Sequence, residues 1–400
     1  MSMANKIKMV ITHPSQLSER WVKYYCLDEL NKVFDVEFWD CSALAFPSFT
    51  VAHPLTPDYL HVIHTLQEFE SKLQCLPKDT VLITEVHHNS KTYRFHKIQS
   101  KYFPRFAHVG FYGNDIDKIM VDEATSRHGG GINGIKGVLY QSKFIRNFVK
   151  WLFHHRDSDY QENRMKIKSA ECYTECFEIS CVGTAQYRIN HPDFEQYLKV
   201  KEQSRIIEEP YIVFIDDFFP YHPEICASVE KESIENRAIL YHRCMNAFFA
   251  KIECIMHCKV VIAAHPYANY SKHNPFEGRE IYYGKTAQLV KDCLAVCQHG
   301  SNAYSYVALF DKPVGFVICS AMAGSESDYL TRLCGKIMAL PVISIDDISS
   351  IGENIFQRMN PELRTKYIAN YLGDIRNPKT NSELIREYVE IFHNQLINRK

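Results

Sequence analysis

The stretch KVVIAAHPYAN, residues 259–269, decides how this chain is read. Val260 to Ala264 run without a polar break, and a histidine and a proline end the run. A continuous apolar run of this length fits a strand covered on both faces, as in a parallel sheet flanked by helices. Pro266 cannot continue such a strand, because it has no N–H for the ladder. His265 therefore falls at the carboxyl end of the strand, the edge at which open α/β sheets bind ligands. Either it is a turn residue stopped by proline, or its imidazole faces a ligand.

Working outward, strand-like and helix-like runs alternate on both sides. Strands are expected at 211–215, 260–264, 293–297 and 314–318, with helices at 235–258, 286–291 and 301–309. Earlier in the chain, strands are expected at 8–12, 36–39, 80–86, 107–112 and 176–182, with helices at 17–33, 57–73 and 140–154. The segment 192–210 is charged and reads as a connector; 346–400 is polar and helical, broken at Pro361 and Pro378. This alternation predicts an α/β protein with two Rossmann-like doubly wound domains facing a cleft and a helical C-terminal tail. The expected division is an acceptor domain at 1–205, a donor domain at 206–345, and helices at 346–400 packing back on both.

The totals agree with such a protein. At 400 residues the chain exceeds one ordinary core, and 46% hydrophobic with 23% charged residues is a globular balance. A net charge of −1 gives no field to recruit nucleic acid or an anionic membrane. The first residues lack the apolar core of a signal peptide, and no run reaches the ~20 apolar residues of a spanning helix. The expected location is cytoplasmic, with peripheral contact at the inner membrane left open. Fourteen cysteines, several inside apolar runs, are expected as free thiols. Cys172 with Cys176, and Cys254 with Cys258, lack a well-spaced second pair of zinc ligands.

Polar groups collect after three strands of the second half. Ile215 is followed by Asp216-Asp217, Ala264 by His265-Pro266, and Cys297 by Gln298-His299-Gly300-Ser301-Asn302. Gly300 permits a tight turn, and Ser301 or Asn302 can cap the next helix, whose free N–H groups attract an anion. A phosphate held there and by His265 is the expected guest.

These residues carry a resemblance. YIVFIDDFFPYHPE (211–224), VVIAAHPYANY (260–270) and GREIYYGKTAQLVKDCLAVCQHGSNAYSYVALFDKPVGFVI (278–318) resemble the donor half of bacterial surface-polysaccharide glycosyltransferases of the two-Rossmann (GT-B) type. The His265-Pro266 pair and the His299-Gly300-Ser301 turn, with Ser305 behind, are similar to the HP and serine motifs of sialyltransferases and polysialyltransferases. The resemblance implies transfer of a sugar from a nucleotide-sugar donor, CMP-activated by preference, to a glycan or glycolipid acceptor. In those enzymes the acidic pair precedes a glycine and lies in the acceptor half. Here Asp216-Asp217 precedes Phe218 and opens the second half, which leaves the base unassigned. A 2-epimerase acting on nucleotide sugars, or a non-catalytic subunit of a polysaccharide assembly, are the rival readings.

Transfer needs a base near the acceptor hydroxyl. Glu85, His88 and Asp115 follow predicted strands of the first half, and Asp217 follows one of the second. Lys285 and Thr286, after Gly284, resemble the end of a P-loop but read better as a helix start that could support the donor. Gly129–Gly134 satisfies GxGxxG without a preceding strand. Asp115-x-Asp117 and Asp157-x-Asp159 have the form of metal-chelating pairs. With His265 and N–H groups stabilising the leaving phosphate, neither a metal nor another cofactor is required.

Overall fold

The apolar runs form strands, and neighbouring strands pair in parallel throughout. The computed structural model describes residues 6–46, 54–111, 158–181, 185–222 and 231–398. In the first unit, β1 (Lys8–His13), β2 (Asp35–Asp40), β3 (Leu60–Val62), β4 (Val81–Thr84), β5 (Arg105–Gly110), β6 (Glu175–Ser180) and β7 (Tyr187–Arg188) pair in the order β3-β2-β1-β4-β5-β6-β7. In the second, β8 (Tyr211–Ile215), β9 (Lys259–Ala264), β10 (Ile281–Tyr283), β11 (Ala295–Gln298), β12 (Val314–Ile318) and β13 (Val342–Ser344) pair in the order β10-β9-β8-β11-β12-β13. Both are Rossmann-like sheets, and in each the strand order reverses beside its first strand.

Coverage on both faces explains the unbroken apolar runs. Val213, Ile215, Val261 and Val296 pack on one side of the second sheet with the helices Thr286–Asp292 and Tyr304–Phe310. Ile212, Phe214, Val260 and Ile262 pack on the other against Tyr241, Phe248 and Phe249 of the helix Lys231–Met256. The first sheet is covered in the same way, with Met9 and Ile11 on one face and Val10 and Leu82 on the other.

The chain leaves the first unit after Asn190 and returns to it at Lys379–Lys400. The helix Asn381–Asn398 buries Ile385, Val389 and Phe392 against the β1 face. Its entry is fixed by a reciprocal buried pair. Asn190 N–H donates to Asn381 Oδ1 at 2.7 Å, and Asn381 Nδ2 donates to Asn190 O at 3.0 Å.

Three expected elements differ. The helix expected at 57–73 starts only at Leu66, after the short edge strand β3. Thr65 caps it by accepting from Glu68 N–H, while the Glu68 carboxylate reaches back to His64 N–H. The helix expected at 17–33 is two helices, Glu19–Tyr24 and Leu27–Val33, separated at Cys26, whose φ is 51°. The connector expected at 192–210 contains the helix Pro192–Val200. Proline stands at its first turn, His191 caps it, and Phe194 and Val200 are buried. Its charged composition reads as a linker, yet Asp193 turns inward to accept hydrogen bonds from Ser305 and Tyr306. The helix expected at 140–154 lies outside the described residues.

Candidate functional site

Register brings the three polar strand ends of the second unit together. Ile215 of β8 stands opposite Ala263 of β9 and Gln298 of β11. Asp216, His265 and the turn after Gln298 therefore leave the sheet at one edge. They surround a pocket of about 260 Å³, whose walls include Asp217, His222, His265, Gly300, Ser301 and Ser327. That is just below the roughly 300–1,000 Å³ usual for small-molecule sites.

His265 is half-buried, and its ring has a defined tautomer. Tyr267 N–H donates to Nδ1 at 3.2 Å, so the ring proton of the neutral form sits on Nε2. Burial and the neighbouring His222 hold its pKa below the usual histidine value. The ring thus offers an N–H donor from a neutral imidazole.

Asp216 is buried beneath this edge and organises it. Its carboxylate accepts Phe218 N–H at 3.0 Å, Tyr270 O–H at 2.8 Å and His265 N–H at 3.4 Å. Burial first, and the adjacent Asp217 second, push its pKa up to about 7. Asp217 lines the pocket itself. It accepts Phe219 N–H at 3.3 Å and a hydrogen bond from the Ser327 hydroxyl.

The turn at Gly300 does not open a helix directly. The next helix is Tyr304–Phe310, with Ala303 rather than Ser301 at its N-cap. Ser301 instead folds its own turn, its hydroxyl accepting Ala303 N–H at 3.3 Å. The helix terminus that reaches the pocket belongs to Glu326–Met338, capped by Ser325, and both Glu326 and Ser327 line the pocket. Gly300 makes this approach possible. A Cβ there would lie 2.3 Å from Leu330 Cβ, 2.5 Å from Leu330 C and 2.6 Å from Thr331 N. The backbone N–H groups of Gly300, Ser301, Glu326 and Ser327 have no acceptor among the described residues. Orphan N–H groups at a helix start and a tight turn are the chemistry of anion binding.

Other sequence candidates occupy different places. His299 is fully buried, its Nδ1–H donating to Val317 O at 2.7 Å and its Nε2 accepting from Tyr241 O–H at 2.9 Å. It anchors the turn from within the core. Ser305 donates to Asp193 at 2.5 Å and ties its helix to Pro192–Val200. Asn302 and Pro266 are exposed, and Asn302 lies on the pocket wall. Lys285 and Thr286 follow the edge strand β10 and do not line the pocket.

In the first unit, Glu85 follows β4 and His88 lies three residues beyond. Glu85 accepts Val109 N–H at 2.8 Å and faces His108 Nε2 at 3.5 Å, while His108 Nδ1 meets Glu178 at 3.0 Å. Burial pushes Glu85 up to about 7, against the opposing pull of His108. Burial alone would lower His108, but Glu178 and Glu85 raise it to about 9. His88 stacks on His96 with centroids 4.0 Å apart, and burial lowers its pKa. Asp115, like Asp117, Asp157 and Gly129–Gly134, lies outside the described residues.

A larger recess, about 890 Å³, opens at the amino ends of β1 and β2. Within it Lys8 pairs with Asp35 at 3.0 Å and with Glu37, and it lies at the edge opposite to the carboxyl ends of the strands, where open α/β sheets bind ligands. Among the described residues, no three His, Cys, Asp or Glu side chains are grouped to hold a metal, and no helix is long and apolar enough to cross a membrane.

Neither a family model nor a curated protein matches the sequence. Solved structures do. The UDP-GlcNAc 2-epimerase of Methanocaldococcus jannaschii is similar over 96% of this chain and 99% of its own, at 12% identity and a TM-score of 0.41. The UDP-bound MnaA of S. aureus is similar over 97% of each chain, at 12% identity and TM-score 0.42. The spinosyn forosaminyltransferase SpnP is similar over 99% of this chain and 98% of its own, at 11% identity and TM-score 0.38. The solved structures that resemble this chain thus include both glycosyltransferases and nucleotide-sugar epimerases.

Glu326 and Ser327 do not stand out in the sequence as strand-end residues because they follow β12 only after an intervening Ser320–Met322 turn. The signal was present as Ser325-x-x-Asp328, an N-cap pattern at the start of a helix.

Proposed function

We propose that the second unit holds the phosphate of a nucleotide-activated sugar and that the protein is a glycosyltransferase. One observation carries the reading: His265, the Gly300–Ser301 turn and the start of the helix Glu326–Met338 meet at a single pocket. In this reading the Nε2–H of His265 and the orphan N–H groups take the phosphate oxygens. They stabilise the charge that develops as the glycosidic bond to phosphate breaks. The helix start contributes a partial positive charge at the same place.

Asp217 is the proposed proton acceptor for the incoming hydroxyl. Asp217 stands in the pocket wall, and a general base has to lie within hydrogen-bond reach of the hydroxyl it deprotonates. A CMP-activated donor, a glycan or glycolipid acceptor, and residence in the cytoplasm or at the inner membrane's surface are further parts of this proposal.

Carboxylates in the pocket wall also suit a 2-epimerase, which must move a proton at a sugar carbon. Incubation with radiolabelled CMP-, UDP-, GDP- and CDP-sugars in the absence of acceptor separates the two. Slow release of free sugar and nucleotide supports the transferase. Acceptor-independent isomerisation of an intact nucleotide sugar supports the epimerase. Neither product from any donor removes the enzymatic reading in favour of a binding subunit.

A further inference from the structure

We propose that Tyr267 is a stacking platform for a planar heterocycle, so that the ligand entering the adjoining pocket is a nucleotide whose base lies on this ring. The proposal rests on the reading of that pocket as a phosphate site. Tyr267 is 66% exposed, although it sits three residues beyond a buried strand. Its ring centroid lies 5.3 Å from that of His265 and 5.9 Å from that of His222, and both imidazoles line the pocket. The ring is therefore one aromatic contact from the anion position, a gap that a ribose can bridge.

The loop is held so that the ring stays where it is. Tyr267 N–H is bound to His265 Nδ1, Ala268 N–H donates to His265 O at 2.9 Å, and Ala268 is buried. Further along, Tyr270 donates its hydroxyl to Asp216 and its N–H to Tyr283 Oη at 2.8 Å. A platform fixed before binding loses little entropy when a ligand arrives.

The surface beside the ring favours a flat aromatic group over a polyhydroxyl one. Pro266 and Tyr267 present apolar faces, and the Asn269 side-chain oxygen is already engaged by Ser271 N–H at 3.2 Å and Ser271 O–H at 2.7 Å. A sugar would need free polar partners for its hydroxyls. A base needs mainly a ring face.

The test is calorimetric titration of the full chain with a nucleoside 5′-monophosphate set (CMP, UMP, GMP, AMP) and with ribose 5-phosphate. Wild type should bind at least one nucleotide more tightly than ribose 5-phosphate. Tyr267→Ala should weaken that nucleotide roughly five- to hundredfold, the range of base–aromatic stacking, and leave ribose 5-phosphate unchanged. Tyr267→Phe, which keeps the ring face, should retain the wild-type preference. Nucleotide affinity unaltered in Tyr267→Ala, or an equal loss for ribose 5-phosphate, overturns the stacking proposal while the phosphate site stands. Wild type that binds none of these phosphates removes the phosphate site and the platform together.

Discussion

Replacing Gly300 by alanine should damage the pocket through the helix behind it. The new methyl would sit 2.3 Å from Leu330 Cβ and within 2.6 Å of two backbone atoms, Leu330 C and Thr331 N. Ordinary contacts of this kind lie near 3.5–4.0 Å, so the helix Glu326–Met338 has to move by about 1 Å. No rotamer change relieves a clash with backbone. Overpacking of this kind costs about 1–3 kcal/mol, and a backbone clash belongs at the upper end. The same displacement withdraws the N–H groups of Glu326 and Ser327 from the anion position, where a 1 Å misplacement weakens hydrogen bonds steeply. Urea unfolding should show the stability loss, and titration with nucleoside monophosphates should show at least tenfold weaker binding, about 1.4 kcal/mol. Gly352→Ala is the control, because its methyl would approach only the Asn354 side-chain oxygen, at 3.3 Å, which can swing away. Gly300→Ala with wild-type stability and affinity would refute the packing argument.

Asp216 predicts a pH effect. Its folded-state pKa is raised to about 7, so between roughly pH 4 and 7 the folded protein keeps a proton that the unfolded chain releases. Its contribution is present at low pH and lost as pH rises through 7. Asp216→Asn should flatten the fall of melting temperature over that window, with Glu85 still supplying its own decline there and His108 supplying one between about pH 6.5 and 9; an unchanged profile counts against a protonated Asp216. Asn381→Ala should cost about 1–3 kcal/mol by leaving buried Asn190 groups unpaired, measured by urea unfolding; a neutral change would show that water replaces the pair. Denatured, unreduced protein should titrate fourteen thiols, since each cysteine among the described residues is free; a markedly lower count contradicts this.

Both sheets were legible because buried parallel strands leave unbroken apolar runs, and β8 and β12 fall where those runs fall. Short edge strands such as β3, β7, β10 and β13 were not legible. They have two or three residues and one exposed flank, so no period can emerge. The strand-end polar residues were readable as a group, since parallel register forces them to one edge. Whether each side chain points outward was not. His299 and Ser301 are two residues apart, yet one is sealed in the core by Tyr241 and the other lines the pocket. The helix start at Glu326 supplies what was expected of Ser301, because Gly300 lets a later helix come closer than any side chain would allow.

The most direct test is a crystal structure of the full chain with a nucleoside monophosphate bound. The phosphate should lie within hydrogen-bonding distance of His265 Nε2 and of backbone N–H groups at Ser301 and Ser327. A nucleotide bound with its phosphate away from His265, or held through the recess at Lys8 and Glu37, would contradict it.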